Sequence, residues 1–285
     1  MQKSDELKKY ESIASFCDQT TEWIKENCRE AFESFKRDSD SGEALKLMWL
    51  GDCYYYGYGT EKDSSLAVQC YKKAISCKEN SPDRDVVEYK LYELGECYEL
   101  GRGTVVDRTT ALKCFEVSAK AGNVLAMLSC GELYSEYFKN MEKAVEYYTL
   151  AANEGNTTAM LILGNYYTGY TTKTEDGSYV LDGHREEYTS YDIVGFIDTI
   201  DAKKGFEWYK KADAKIPLAC CYYEGVGTAK NWAKAVEIFQ SCKDSVWFNH
   251  YAADALYRCY ATGGYGIEKN LLKAAKWLAV ALLHS

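Results

Sequence analysis

The side chains with the greatest chemical potential in this chain are carboxylates, tyrosines and cysteines. Among its 285 residues there are 43 Asp and Glu, 26 Tyr and 12 Cys, but only 3 His. Acid–base catalysis needs carboxylates placed at a reacting group, whereas the Asp and Glu residues here recur at the solvent-facing spacing of helices. The sequence has no nucleophile elbow, no Ser-x-x-Lys with its usual partners, no His-Glu-x-x-His and no dinucleotide fingerprint. We therefore predict no catalytic residue and no enzymatic activity.

The cysteines and histidines do not have the spacing of a metal site. No Cys-x-x-Cys occurs, and the adjacent Cys220 and Cys221 would point to different sides of a helix. His184 is flanked by charged residues, but no second histidine or cysteine is placed to complete a ligand set, which indicates a solvated charged loop. The sequence predicts neither a metal nor another cofactor.

Two recurring landmarks divide the chain into six repeats. The first is a tyrosine three residues after a position usually held by glycine, and the second is a short polar residue that can cap a helix. The tyrosines are Tyr54, Tyr98, Tyr134, Tyr167, Tyr222 and Tyr260, and the caps are Asp63, Asp107, Asn140, Asp201, Asn231 and Asn270. Small, large and small residues follow each cap on one helical face. The pattern predicts antiparallel helix pairs that approach at the small residues and are walled by the aromatic ones.

A Gly-x-Gly segment connects the two helices in four of the repeats. It begins at Gly57, Gly101, Gly225 and Gly264. Alone it would be a weak hint of a phosphate-binding loop, but no strand precedes it and it recurs. We interpret it as backbone freedom at the end of the first helix.

These features resemble the Sel-one-like repeat, a relative of the tetratricopeptide repeat, over roughly residues 44–285. The matching residues of repeat one are Leu50, Gly51, Tyr54, Gly57, Gly59, Asp63, Ala67, Tyr71, Lys73 and Ala74. The resemblance implies an all-α fold, a right-handed α-solenoid of about six antiparallel helix-pair repeats with an N-terminal helical cap. It also implies a non-catalytic scaffold or adaptor in protein complexes.

Two other functions stay open at this point. Some relatives of this family have been linked to β-lactam binding or hydrolysis, so a cysteine-rich enzyme of that type is one. A redox-responsive binding protein, which rests on the cysteines alone, is the other. Bridges Cys53/Cys70 and Cys97/Cys114 would follow the disulfide-rich secreted bacterial members, but those have a shorter spacing than the 17 residues here. Reduced core cysteines are favoured, because Cys is often a small buried residue.

The predicted domains are a helical cap over residues 1–40 and a repeat array over residues 41–285. The repeats lie near 44–77, 88–122, 124–155, 157–213, 214–243 and 247–285. Repeat four contains an insertion over residues 171–197, and Pro217 should shorten the first helix of repeat five. We expect one continuous array with a break in the superhelix near residues 171–218.

Charge and hydropathy restrict the partners and the location. A net charge of −9 and a pI near 5.1 disfavour nucleic acid, because phosphate binding needs clustered Lys and Arg. The lysines recur around the second helix of each pair, as expected of a solvated outer layer. No apolar run approaches ~18 residues and none follows the N-terminus, so neither a membrane span nor a leader is expected. We expect a cytoplasmic protein, with secretion or a periplasmic location as the alternative if a leader has been removed.

Two surfaces are candidates for binding. The first is acidic and tyrosine-rich, on the concave side of the inner helices, where the resemblance to tetratricopeptide repeats implies that positions one, four and five after the glycine face the groove. Its predicted residues are Asp52, Tyr55, Tyr56, Glu96, Glu99, Glu132, Glu136, Asn165, Tyr223 and Glu224. We hypothesise that it binds a basic protein or peptide segment, although its acidity is equally consistent with the acidity of the whole chain. The second is the apolar last helix with Trp277, Leu278 and Leu282, which must be buried by repeat five, by another copy of the chain in self-association, or by a further repeat of a longer chain.

Overall fold

The computed structural model describes residues 22–173, 179–180, 192–193, 201–243 and 250–283. Its α-helices are α1 (Glu22–Arg37), α2 (Ala44–Tyr56), α3 (Ser64–Cys77), α4 (Arg84–Tyr89), α5 (Leu91–Leu100), α6 (Arg108–Lys120), α7 (Val124–Glu132), α8 (Met141–Asn153), α9 (Thr157–Thr168), α10 (Ala202–Lys211), α11 (Lys215–Glu224), α12 (Trp232–Ser241), α13 (His250–Thr262) and α14 (Leu271–Leu283). Short 3-10 helices lie at Asp38–Asp40 and Lys78–Asn80, and a π-helix lies at Leu133–Tyr137. The predicted all-α fold of helix-pair repeats is confirmed, while the handedness and the repeat count stay predictions.

The second helix of every repeat begins at the polar residue that the sequence predicts. Asp63 accepts a hydrogen bond from the backbone N–H of Leu66 at 3.0 Å, and Asn270 accepts one from Lys273 at 2.9 Å. The same bond, three residues ahead, is made by the other four caps, Asp107, Asn140, Asp201 and Asn231. Each cap satisfies a backbone donor that the first turn leaves unpaired, so these six helix starts are confirmed.

In repeats one, two and five the two glycines of the connection have different tasks, whereas in repeat six the residue that follows the inner helix is Gly263, one position before the predicted Gly264. The first ends the inner helix in the left-handed conformation, with φ of 81° at Gly57 and 82° at Gly225. The second lies against the backbone of the helix before it in the stack. A Cβ added to Gly103 would overlap with Ser64 at the start of α3, and one on Gly227 would overlap with Ala202 at the start of α10. The same contact in repeat one joins Gly59 to Cys28 of α1.

The glycine of the inner helix makes room for an aromatic ring of the outer helix. A Cβ added to Gly51 would lie 2.5 Å from Cδ1 of Tyr71, and Gly95 has the same relation to Phe115 in repeat two. Both rings are fully buried. The small-against-large packing that the repeat pattern predicts is therefore confirmed in these pairs.

Packing divides the described residues into two bodies, one up to Tyr147 and one from Tyr148 onward. The sequence predicted one continuous array, and it did not indicate this division, which falls inside α8. In the N-terminal body one apolar core joins α1 to α6 through residues such as Phe35, Trp49 and Leu94. In the C-terminal body a core joins α11 to α14.

Three local features depart from a regular helix pair. Lys90 interrupts the inner helix of repeat two, between α4 and α5. Pro217 lies in the first turn of α11, where a missing N–H costs little, and this inner helix has 10 residues against 13 in α2. Within the predicted insertion, strand β1 (Tyr170–Lys173) pairs antiparallel with β2 (Tyr179–Val180) and with β3 (Asp192–Ile193). The rest of the insertion, with His184, and residues 1–21 of the predicted cap lie outside the described residues.

Candidate protein-binding surface

The position directly after the glycine is buried in repeats one and four. Asp52 is 3% exposed and Asn165 is 5% exposed. The Tyr71 hydroxyl donates to Oδ1 of Asp52 at 3.0 Å, and the Tyr209 hydroxyl donates to Oδ1 of Asn165 at 2.7 Å. Both side chains are thus bound to the outer helix of their own repeat and are not offered to a partner. Their predicted place on the groove is corrected accordingly.

Lys90 completes the environment of Asp52. Its Nζ donates to Oδ2 of Asp52 at 2.6 Å, in a pair that is largely buried. Burial alone would lower the pKa of Lys90, but the carboxylates of Asp52 and Glu93 raise it, so the ammonium stays charged. Both oxygens of Asp52 therefore have partners, and the lysine in the helix break is committed to this carboxylate.

Glu96 lies in a network of hydroxyl groups at the surface of the N-terminal body. The hydroxyls of Tyr92 and Tyr55 help to lower its pKa, and the Tyr55 hydroxyl accepts a hydrogen bond from Arg102. Burial raises the pKa of Glu96, and Arg102 and the two hydroxyls oppose that shift. Burial also raises the pKa of Glu99, one turn further on, and the charge of Glu96 adds to it. The two carboxyls thus sit in a partly enclosed region where negative charge is unfavourable.

The acidic face continues into repeat three. Glu132 is half-buried at the end of α7, and Glu136 is exposed in the π-helix. The charge of Glu136 contributes to the raised pKa of Glu99, and Arg108 opposes it. The Arg108 guanidinium itself lies over the Tyr137 ring, 5.1 Å from the centroid. Of the predicted residues, the structure brings Glu96, Glu99 and Glu136 together in one region of the N-terminal body.

Two further residues belong to this region, one predicted and one missed. Tyr56 is 39% exposed, packs edge-to-face on Tyr55 and stacks on Tyr58 with centroids 5.3 Å apart. Glu93 was missed: it lies one turn before Glu96, and its Oε2 is enclosed with no hydrogen-bond partner among the residues that the structure describes. The sequence signal was a carboxylate two residues before the glycine, a position held by Trp49 in repeat one and by other uncharged residues elsewhere.

The predicted residues of the C-terminal body form a separate aromatic cluster. Tyr223 stacks on Trp232 with centroids 5.7 Å apart, and the indole N–H of Trp232 donates to the Tyr223 carbonyl at 3.0 Å. Trp232 also contacts the exposed Tyr265. Glu224 accepts a hydrogen bond from the Tyr251 hydroxyl. These contacts hold Tyr223 and Glu224 in fixed positions at the surface.

Lysines of the outer helices make cation–π contacts with tyrosines that mark the repeats. The sequence analysis did not predict these contacts. In four repeats the lysine three residues after the cap lies over the tyrosine ring of its own repeat. The pairs and their Nζ–centroid distances are Lys143 and Tyr134 at 4.9 Å, Lys204 and Tyr167 at 4.1 Å, Lys234 and Tyr222 at 5.1 Å, and Lys273 and Tyr260 at 5.1 Å. Each contact contributes on the order of 0.5–1 kcal/mol at an exposed site. These lysines are therefore part of the repeat and not only its solvated face.

The last helix, α14, has more of its apolar surface buried than the sequence suggested. Trp277 is buried in the core of the C-terminal body, so it is not available for self-association. Leu278 and Leu282 are 40% and 67% exposed, and Leu271 and Leu272 are exposed as well. An apolar strip of leucines therefore remains at the surface of α14.

Cys53, Cys97, Cys130 and Cys259 are free thiols in buried positions. Burial raises the pKa of the Cys53 and Cys97 thiols to about 12. A raised pKa suppresses the thiolate that redox chemistry needs, which disfavours the redox-responsive alternative. No group of ligating side chains that could hold a metal ion occurs in the part of the chain that the structure describes. No helix within those ranges is long and apolar enough to cross a membrane.

The fold defines the class of the protein, an array of antiparallel helix-pair repeats. The model of the Sel1 repeat matches residues 47–78, 91–123, 124–156, 194–212, 214–241 and 251–282, which is more than half of the chain. The chain belongs to the Sel1 repeat family. Proteins of this family generally act as scaffolds for protein–protein interactions and are generally non-catalytic.

Known relatives agree with this assignment. The chain is 48% identical over 44 residues to an uncharacterised Sel1-like repeat-containing protein of Schizosaccharomyces pombe, a match that spans 15% of this chain and 7% of that protein. A Sel1 repeat protein from Oxalobacter formigenes is similar in structure, with a TM-score of 0.58, 21% identity and coverage of 98% of this chain and 97% of that one. A protective antigen of uropathogenic Escherichia coli with the same repeat fold has a TM-score of 0.57 at 20% identity. The match covers 95% of this chain and 55% of the antigen. The two structures support the fold alone.

Proposed function

We propose that this protein is a non-catalytic scaffold that binds a basic segment of a partner protein on the acidic face of its N-terminal body. The face consists of Tyr56, Glu96, Glu99 and Glu136, whereas Tyr55, which was also predicted there, is buried. One observation carries the proposal. The carboxyls of Glu96 and Glu99 are half-buried with raised pKa values, and their mutual repulsion is relieved when a cation approaches.

The cations already present compensate this face only in part, because Arg102 and Arg108 oppose the raised pKa values of Glu96 and Glu99 but leave both raised. Arg102 donates to the Tyr55 hydroxyl, Arg108 lies over the Tyr137 ring, and Lys90 is bound to Asp52. Tyrosine rings supply contact area with little loss of side-chain entropy, as is common in protein interfaces. A segment with spaced Lys or Arg residues complements both features.

The proposal is tested by the binding of a fluorescein-labelled hexalysine peptide, followed by fluorescence anisotropy. We expect the affinity to fall between about 50 mM and about 300 mM salt, because screening weakens interactions between exposed charges. The Glu96→Gln/Glu99→Gln variant should bind about twofold to about thirtyfold more weakly than the wild type, since each of the two lost charge pairs is worth ~0.2–1 kcal/mol.

The matched control removes two charges elsewhere on the same body. Glu142→Gln/Glu146→Gln changes two exposed carboxylates on the outer helix α8 and leaves the acidic face intact. If both double variants weaken peptide binding equally, the affinity comes from overall charge and the proposed face is wrong. Affinity that is unchanged by salt contradicts the electrostatic basis of the proposal.

A further inference from the structure

Glu93 stands out because one oxygen of its carboxyl is enclosed without a hydrogen-bond partner among the described residues. Oε2 of Glu93 has no hydrogen bond to any of the described residues. Both oxygens of the neighbouring Asp52 accept hydrogen bonds, one from Lys90 at 2.6 Å and one from the Tyr71 hydroxyl at 3.0 Å. Two buried carboxyls thus share a single ammonium, and the ammonium is bound to the other one. Leaving a buried polar group unsatisfied costs ~1–3 kcal/mol, more when it is charged.

The groups around Glu93 come from every element packed against it. Asp52 and Tyr56 face it from α2, Tyr71 from α3, and Lys90 from the helix break. Glu96 lies one turn ahead on α5 itself. Lys90 is the one cation in this set, and it does not bond to Glu93. The surroundings therefore hold an excess of negative charge beside the exposed aromatic ring of Tyr56.

We propose that Glu93, Glu96 and the ring of Tyr56 form a receptor for one cationic side chain of the bound segment, a lysine ammonium or an arginine guanidinium. The inference rests on the proposed function and specifies its anchor. A carboxylate gives a charge-assisted hydrogen bond to such a group, and the face of a tyrosine ring attracts it further. The incoming cation supplies the positive charge that Lys90 does not provide to Glu93.

Occupation of the receptor has a proton signature. Burial, with the charge of Asp52 in addition, raises the pKa of Glu93 to about 8, so the empty receptor holds a proton near neutral pH. A bound cation stabilises the carboxylate, so this proton leaves to solvent as the cation binds. Affinity for a cation must then rise with pH until the carboxyl is already ionised in the free protein.

The experiment measures binding of a labelled hexa-arginine peptide to the full chain, because the charge of arginine is constant over the range. We expect the affinity to rise about tenfold between about pH 6 and about pH 8. Calorimetry in two buffers of different ionisation enthalpy should show close to one proton released per peptide below about pH 8. A hexalysine peptide in parallel distinguishes the ammonium from the guanidinium as the preferred cation.

Glu93→Gln keeps the shape of the side chain and removes its titration. This variant should still bind the peptide through the other carboxylates, but without the proton release and without the rise in affinity. Glu96→Gln is the matched control, which should lower the affinity and retain the proton release. Circular dichroism establishes that both variants are folded.

The outcomes separate the receptor from the proposed function. If the wild type binds the peptide and Glu93→Gln behaves identically at every pH, the receptor is wrong and the acidic face stands. If the wild type binds neither peptide at low salt, the proposed function is wrong and the receptor falls with it.

Discussion

Gly51→Ala is expected to destabilise the protein although it replaces glycine within a helix. In an exposed helix interior this change stabilises by ~1 kcal/mol, because alanine has the better helix propensity. Here the new methyl group would lie 2.5 Å from Cδ1 and 3.0 Å from Cζ of Tyr71. An ordinary carbon–carbon contact is about 3.5–4.0 Å, so the ring would have to move by about 1 Å.

The ring of Tyr71 has little freedom to make that movement. It is fully buried, and its hydroxyl is held by Asp52. Overpacking of a filled core costs ~1–3 kcal/mol, which exceeds the propensity gain over most of that range. We therefore expect a net loss of up to about 2 kcal/mol, or a fall in Tm of ~2–4 °C for each kcal/mol.

Thermal and urea unfolding followed by circular dichroism measure this loss. Tyr71→Leu provides the second arm of a double-mutant cycle, since leucine already holds the equivalent sequence position in repeat six, as Leu278. The Gly51→Ala change should cost less in the Tyr71→Leu background, with a coupling of about 1 kcal/mol. A Gly51→Ala variant that is more stable than the wild type, with no coupling to residue 71, would refute the packing argument.

Four other outcomes are expected. The pKa of Glu93 is raised from 4.5 to about 8, so between these pH values the folded protein keeps a proton that the unfolded chain has lost. The contribution of Glu93 to the free energy of unfolding is therefore complete below about pH 4.5 and is lost as the pH rises towards 8. Glu93→Gln should consequently gain stability relative to the wild type between pH 5 and pH 8, by on the order of a few kcal/mol in urea unfolding, and a constant difference would contradict the assignment. Asp52→Ala leaves Lys90 buried without its carboxylate and should cost ~3–5 kcal/mol in the same assay, whereas a cost below about 1 kcal/mol would show that the pair opens to water. A thiol reagent at about pH 8 should label the native chain slowly and all 12 cysteines after denaturation, because burial raises the thiol pKa of residues such as Cys53 to about 12; fast native labelling would oppose this. Light scattering at micromolar concentration tests self-association through α14, where a dimer that Leu278→Lys/Leu282→Lys converts to monomer is expected and a strict wild-type monomer is the contrary result.

The repeat itself was predictable because its signals are local. A cap such as Asp63 acts on a donor three residues away, and Gly57 ends a helix through its own backbone, so spacing alone identifies both. The burial of Asp52, in contrast, could not be predicted from its neighbours in the sequence. It depends on a tyrosine 19 residues later that brings a hydroxyl across the helix pair.

The contrast between Tyr and Phe on the outer helix would have corrected the surface prediction. Tyr71 and Tyr209 each carry a hydroxyl that binds the side chain after the glycine, as Asp52 and Asn165 show. Repeat two has Phe115 instead, which has no hydroxyl, and there Glu96 is left to the surface network. In repeats one and four the hydroxyl of the outer helix thus binds the side chain after the glycine, and in repeat two it is missing.

Glu93 shows a further limit of pattern reading. Its residue type suggests a solvated helix face, but its place in the repeat is one that faces the preceding inner helix. Only the packing of α5 on α2 shows that Asp52 has already taken the available lysine. Which carboxylate binds a given lysine depends on the positions of all neighbouring charges in the folded protein. The spacing of residues along the chain does not show these positions.

The contact between Gly59 and Cys28 sets a rule for lengthening the array. Repeat one touches α1 through the same connector glycine by which repeat two touches α3, at Gly103 and Ser64. Helix α1 therefore occupies the place of an outer helix from a preceding repeat, although it lacks that repeat's sequence. An additional repeat grafted in front of residue 44 would compete with α1 for this place, so a longer engineered array must delete α1 or carry it outward as a new terminus.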